Sequence, residues 1–213
     1  MQVKKFVVLT VLFILPIVAY LFFASGVNNF GKLPILTNGV DDVAHIGTAK
    51  VSFKDKITVV GFLGKNLDSK AGNAFNLNQK IYKRFYEFND FQFVMLVPKG
   101  TEDMVAALEG ELGHLVDMKK WNFVFADDAQ ITDFFASLKT DISLDENLGT
   151  PYVFIIDKDL NLRGRENDED DGTKYGFDST SVAELNNKME DDIKIILAEY
   201  RLALKKNNAD RAK

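Results

Sequence analysis

No cysteine occurs among the 213 residues. Its absence removes disulfides, thiolate metal sites, cysteine nucleophiles and dithiol redox chemistry together. Two histidines leave little for a histidine-rich metal cage or a multi-histidine active site. An excess of positive charge is also missing. With Lys4 and Lys5 set aside, 24 basic residues stand against 31 acidic ones. That balance repels phosphate backbones, and no basic face interleaved with aromatics occurs, so the reading has no nucleic-acid partner. No repeat or low-complexity stretch is present. The 46% apolar and 27% charged content is that of an ordinary globular chain.

One long apolar run is present. Residues 6–23 (FVVLTVLFILPIVAYLFF) carry no charge and follow Lys4 and Lys5 directly. At about 1.5 Å per residue they cover roughly 27 Å, close to the hydrocarbon thickness of a bilayer. Pro16 is tolerable in a membrane helix. Lysines before the run and none until Lys32 predict a cytoplasmic N-terminus and a domain outside. A cleaved signal peptide is the alternative, with Ala24-Ser25-Gly26 as its small-residue site. Lipoprotein processing needs a cysteine and is excluded. Either way the domain is expected to be extracytoplasmic, on a single-pass cell-membrane protein or released from it. The expected organisation is a stub and transmembrane anchor at 1–26, a linker at 27–42, a domain at 43–206 and a polar tail at 207–213. The residues after Gly26 suffice to bury roughly 70% of the unfolded chain's surface.

Within the domain, residues 57–63 (ITVVGFL) are short, apolar and β-branched, the pattern of a buried strand. A polar loop follows at 64–72. Phe75, Leu77, Ile81, Phe85 and Phe88 then recur at near-helical spacing. Residues 91–97 (FQFVMLV) form a second strand stopped by Pro98. Thr101, Glu102 and Asp103 open a helix that reaches about Leu112. A third strand (121–125) precedes a helix at 129–138. Residues 152–157 and 162–165 make a hairpin, and Val182, Leu185, Met189, Ile193, Ile196 and Tyr200 line one face of a last helix. Strands alternating with helices, then a hairpin and a closing helix, predict an α/β sandwich with a mixed central sheet flanked by helices.

Three stretches carry a resemblance. Residues 57–63, ahead of a loop and long helix, resemble the first core strand of thioredoxin-like proteins. Residues 121–127 (WNFVFAD) before a helix resemble the third strand of the Sco/SenC family. Residues 152–163 (YVFIIDKDLNLR) are similar to the hairpin shared by Sco, peroxiredoxin and TlpA-like proteins. The N-terminal anchor fits as well. Sco proteins handle copper and thiol redox for cytochrome oxidase through a CxxxC after the first strand and a histidine before the hairpin. Gapless alignment from Phe62 places Asn66 and Lys70 at the cysteine positions and Gly149 at the histidine. All three ligands are gone, and an ammonium at Lys70 would repel a cation. Gly149-Thr150-Pro151 also resembles the cis-proline element of thioredoxins, which implies a peptide-contacting loop at Pro151. A trans proline that merely starts a strand is the other reading.

Other features have sharp and bland readings. Asn167, Glu169 and Asp171, then Gly172 and Asp178, half-match a calcium loop. The preceding element is a strand, however, and the closing residue is Asp where a bidentate Glu is wanted, which favours a solvated acidic loop. His45 and His114 have no carboxylate or histidine at ligand spacing. Ser69 has no base partner. Asp127 and Asp128 fit a helix cap. Phe85, Phe88, Phe91 and Phe93 fall at core positions. Lys205, Lys206, Arg211 and Lys213 suit a solvated helix end. The expected function is therefore non-catalytic and cofactor-free. It is that of an extracytoplasmic binding or assembly factor, by resemblance serving oxidase subunits or copper-delivery proteins. Calcium binding at 167–178 is the alternative. An enzyme using Lys65 or Lys70 is the weakest reading, because nothing assembles a site around either.

Overall fold

A computed structural model describes residues 2–24 and 31–211, with side chains placed at 4–21 and 31–203. The chain divides into two units, Met1–Gly31 and Lys32–Lys213. In the first, Gln2–Ala24 is one helix (α1) with Pro16 inside it. Its Lys4–Leu21 window has a mean hydropathy of 2.1 and no residue buried against protein, so α1 is long and apolar enough to cross a membrane. Ser25 and Gly26 of the small-residue site, and Lys213, lie outside the described residues.

In the second unit the uninterrupted apolar runs become central strands. Ile57–Phe62 (β2) and Phe91–Pro98 (β3) are buried at every position and pair in parallel, Ile57 opposite Phe91. Strands covered on both faces read as continuous apolar segments rather than alternating ones. Trp121–Ala126 (β4) pairs in parallel with the far edge of β3. On the other side of β2, Tyr152–Ile156 (β5) runs antiparallel to it. Leu162–Arg163 (β6) follows β5, and Ile35–Thr37 (β1) closes that end. The order is β1-β6-β5-β2-β3-β4. Residues 35–37 thus form an edge strand inside the stretch read as linker.

Strand periodicity sorts the core into two layers. Ile57, Val59, Phe93, Met95 and Val97 face one side, packed by three helices. These are α2 at residues 71–85, α3 at Glu102–Gly113 and α5 at residues 182–211. Val60, Phe62, Val94, Leu96 and Val124 face the other, under Ile131 and Phe134 of α4, Asp128–Ser137, and Leu138 just after it. Both α2 and α5 contain a π-helical turn, at Asn78–Tyr82 and Leu185–Met189. Phe85, Phe91 and Phe93 are buried as expected, whereas Phe88 is 49% exposed. Phe88 lies beyond the end of α2, in the turn into β3, at the side of a cleft shared with Leu197 and Tyr200 of α5. Val182, at the start of α5, is exposed too.

The acidic stretch is not simply a solvated loop. Arg165–Asp168 (β7) and Gly172–Lys174 (β8) form a two-stranded hairpin, and Phe177–Asp178 (β9) pairs with β5.

Candidate functional site

The loop after β2 and the turn before β5 meet at the carboxyl end of β2. Leu63 bridges Gly149, and Thr150 N–H donates to Phe62 C=O at 3.1 Å. Gly64 has a φ of +71°, and a Cβ there would lie 2.7 Å from Asn147 C=O. A side chain at 64 would force the two loops apart. Asp145 organises the opposing turn. Its Oδ1 accepts the amides of Asn147 (2.9 Å) and Gly149 (2.8 Å). Leu148, next to Gly149, takes a left-handed φ of +63° inside this turn.

Two of the three positions aligned with Sco ligands come together here. The Lys70 ammonium lies 3.3 Å from Asp145 Oδ2, and its Cε would be 3.2 Å from a Cβ at Gly149. The lysine side chain thus covers the place where an imidazole at 149 would stand. Asn66 is exposed, and only its carbonyl is engaged, by the Ser69 hydroxyl at 2.8 Å. An amide, an ammonium and a glycine do not fit a soft copper ion, which calls for thiolate and imidazole donors. No step through copper follows from these residues. Asp145, the partner of Lys70, carried no sequence signal, because the pair joins segments 75 residues apart.

Burial works against the charged form of Asp145, but the Gly149 and Asn147 amides and the Lys70 ammonium together hold its carboxyl below the ordinary 3.8. A carboxyl lower in the native than in the unfolded chain adds stability that is complete above the unfolded value and lost as pH falls through the native one. Lys70→Met is therefore expected to raise the Asp145 titration midpoint, read by carboxyl NMR. The stability cost stays below about 1 kcal/mol, because solvent reaches the carboxylate and screens the pair. An unmoved midpoint would show that the pair does not form in solution.

Pro151 opens β5 as a trans proline, since no described peptide bond is cis. Its carbonyl accepts both the amide (3.0 Å) and the hydroxyl of Ser179. Beside it lies a cleft of about 410 Å³ lined by Ser143, Thr150, Tyr152, Lys174 and Tyr175.

The remaining candidates have structural work. Asp127 and Gln130 form a capping box on α4, while Lys99 reaches Asp127 at 3.0 Å and Lys65 reaches Asp128 at 2.6 Å. His114 is exposed, and His45 edges a small cleft with Asp41, Asp42 and Asp133. Among the described residues no three His, Asp or Glu side chains converge at ligand distance. Asn167 and Glu169 are exposed on the hairpin. Lys174 reaches Asp171 at 2.5 Å and Glu184 at 2.8 Å, and Lys188 reaches Asp170 at 2.6 Å. Asp178 accepts the Thr180 amide at 2.8 Å and hydroxyl at 2.7 Å. The Lys174 ammonium holds Asp171, and Asp178 is turned to the Thr180 amide and hydroxyl, so two of the carboxylates a calcium ion would need are already engaged. Millimolar calcium is expected to leave the thermal midpoint unchanged, whereas a bound ion at a hundredfold excess over its Kd would add about 2.7 kcal/mol. A calcium-dependent rise in midpoint would restore the loop as a metal site.

No family model matches the sequence, and no curated protein matches it. Among solved structures, a SCO1/SenC family lipoprotein from Bacillus anthracis aligns at 16% identity with a TM-score of 0.53. It covers 78% of this chain and 99% of that one. BsSco, a member of the Sco family of cytochrome c oxidase assembly proteins, aligns at 12% identity and a TM-score of 0.51, over 78% and 98%. The fold is thioredoxin-like. At these identities the likeness establishes the fold of this domain and nothing of its chemistry.

Proposed function

We propose that this chain is a membrane-anchored, non-catalytic binding or assembly factor. In this reading α1 holds it in the cell membrane as a single pass, and the thioredoxin-like domain works on the periplasmic or other extracytoplasmic side. The observation that carries the reading is the contact of Lys70 with Gly149 and Asp145. It leaves the shape of a Sco-type site closed by an internal ion pair instead of open to a metal or a thiol. The Sco-type neighbours make an oxidase-assembly setting the first to test, with oxidase subunits or copper-delivery proteins as partners. Docking would use Pro151, the adjoining cleft and the loop at 64–72, surfaces that need no redox chemistry. No cofactor is required.

The test is crosslinking co-purification of the full-length protein from its native membranes, compared with an Asn66→Ala/Lys70→Ala/Pro151→Ala variant. Oxidase or copper-delivery subunits recovered with the parent and lost with the variant are the expected result. Recovery of the same partners by both proteins would separate binding from this site, and recovery of none would remove the assembly reading.

A further inference from the structure

The outer edge of β4 is open over part of its length. Phe93 pairs with Trp121, and the Phe93 amide donates to Lys120 C=O at 2.8 Å. That parallel register turns the backbone of Asn122, Val124 and Ala126 towards β3 and that of Trp121, Phe123 and Phe125 outwards. The chain itself covers one end of this edge. Thr48 N–H donates to Phe125 C=O at 2.9 Å, and Phe125 N–H donates to the Thr48 hydroxyl at 3.1 Å. The approach is so close that a Cβ at Gly47 would lie 1.9 Å from Phe125 C=O. At the other end, Trp121 N–H is taken by Met118 C=O at 2.9 Å. Between them, Trp121 C=O and both backbone groups of Phe123 have no partner among the described residues.

This open stretch is the floor of a groove of about 510 Å³. One wall is α3, with Val105 and Ala106 inside and Glu102 and Glu109 at the rim; the other is the segment carrying Lys50 and Val51. No ion pair among the described residues involves Glu102 or Glu109, nor Asp103 or Glu111 on the same helix. The floor includes Trp121, which is 4% exposed and whose indole N–H is buried without a hydrogen-bond partner.

We infer that the open edge of β4 accepts an extended peptide as an added strand, with basic side chains on the face turned to α3. An edge with unpaired amide and carbonyl groups is a template for a further strand, and side-chain alternation supplies selectivity. The unpaired carboxylates of α3 set the sign of the charge. A second copy of the chain is a poorer occupant. Two β4 edges related by a twofold axis would bring α3 beside its equivalent and set Glu102 and Glu109 against like charges. This edge is distinct from the Lys70–Gly149 region, so the inference stands apart from the assembly reading.

Trp121 is the only tryptophan in the chain, and its fluorescence reports on the groove directly. The probes are blocked hexapeptides added to the full-length protein in neutral detergent. The first alternates lysine with valine, the second glutamate with valine, and the third is the lysine peptide with its backbone amides methylated. A saturable change with the lysine peptide is expected, at least tenfold weaker with the other two. Glu102→Lys/Glu109→Lys, two exposed substitutions, should reverse the preference between the lysine and glutamate peptides. Equal responses to the two charges, undiminished binding of the methylated peptide, or no saturable change would each overturn the inference. Concentration-dependent dimerisation without peptide, seen by sedimentation and abolished when the edge is blocked, would give the edge to a second copy instead.

Discussion

Arg163→Met is expected to destabilise the domain by about 3–5 kcal/mol, the range for breaking a buried ion pair from one side. Arg163 is 3% exposed and lies 2.9 Å from Asp157, itself 1% exposed, and 2.7 Å from Glu199 on α5. Its Nε donates to Leu33 C=O at 2.9 Å, so one side chain ties β6 to α5 and to the segment that leads into β1. Methionine fills much of the volume but leaves the Asp157 carboxylate uncompensated in the interior. Asp157 Oδ1 also accepts the amides of Asp159 and Asn161, both at 2.9 Å, and an asparagine keeps those bonds while losing the charge. Arg163→Met/Asp157→Asn should therefore be clearly more stable than the sum of the two single changes. Urea unfolding of the four proteins measures the coupling, and strict additivity would show that the arginine contributes packing rather than charge.

The second large effect is expected at Phe62. Its ring, fully buried at the end of β2, meets Phe135 edge-on at 5.0 Å and Phe154 at 6.1 Å, with Phe134 tilted at 6.0 Å. Phe62→Ala removes a buried aromatic and leaves a cavity among three others, a loss of about 3–5 kcal/mol. At about 2–4 °C per kcal/mol for a domain of this size, the thermal midpoint should fall by roughly 6–20 °C. Phe62 C=O also receives the Thr150 amide, so the same change should loosen the turn that carries Gly149. Phe62→Leu should cost much less. A midpoint that moves by only a degree or two in the alanine variant would mean that the aromatic cluster collapses around the gap.

The longer strands were legible because each leaves an apolar run, unbroken where both faces are buried as in β2 and β3, and 57–62, 91–98, 121–126 and 152–156 lie within a residue or two of where the sequence places them. Of the two- to four-residue strands, only Leu162–Arg163, the second arm of the expected hairpin, was. At Ile35–Thr37, Gly172–Lys174 and Phe177–Asp178 no periodicity can develop, and pairing partners, not local pattern, decide the conformation. The acidic stretch misled for a related reason. Asp168, Asp170 and Asp171 look solvated in sequence because Lys174 and Lys188, which neutralise them, are known as partners only once the hairpin and α5 are in place. At the site, alignment brought out Lys70 and Gly149, whereas Asp145 and Ser179, which hold them and Pro151, became visible only in three dimensions.

The uneven hydrogen bonding of the sheet also sets a range of clocks. Amides in β2 and β3 are bonded between neighbours on both edges and covered by two layers, so deuterium enters them only through the largest openings of the domain. Phe123 lies on the next strand, yet its outward amide has no bond to break before it exchanges. Fast exchange at Phe123 beside slow exchange at Val124 gives β4 a two-speed signature, and any strand laid along that edge would bring the two rates together.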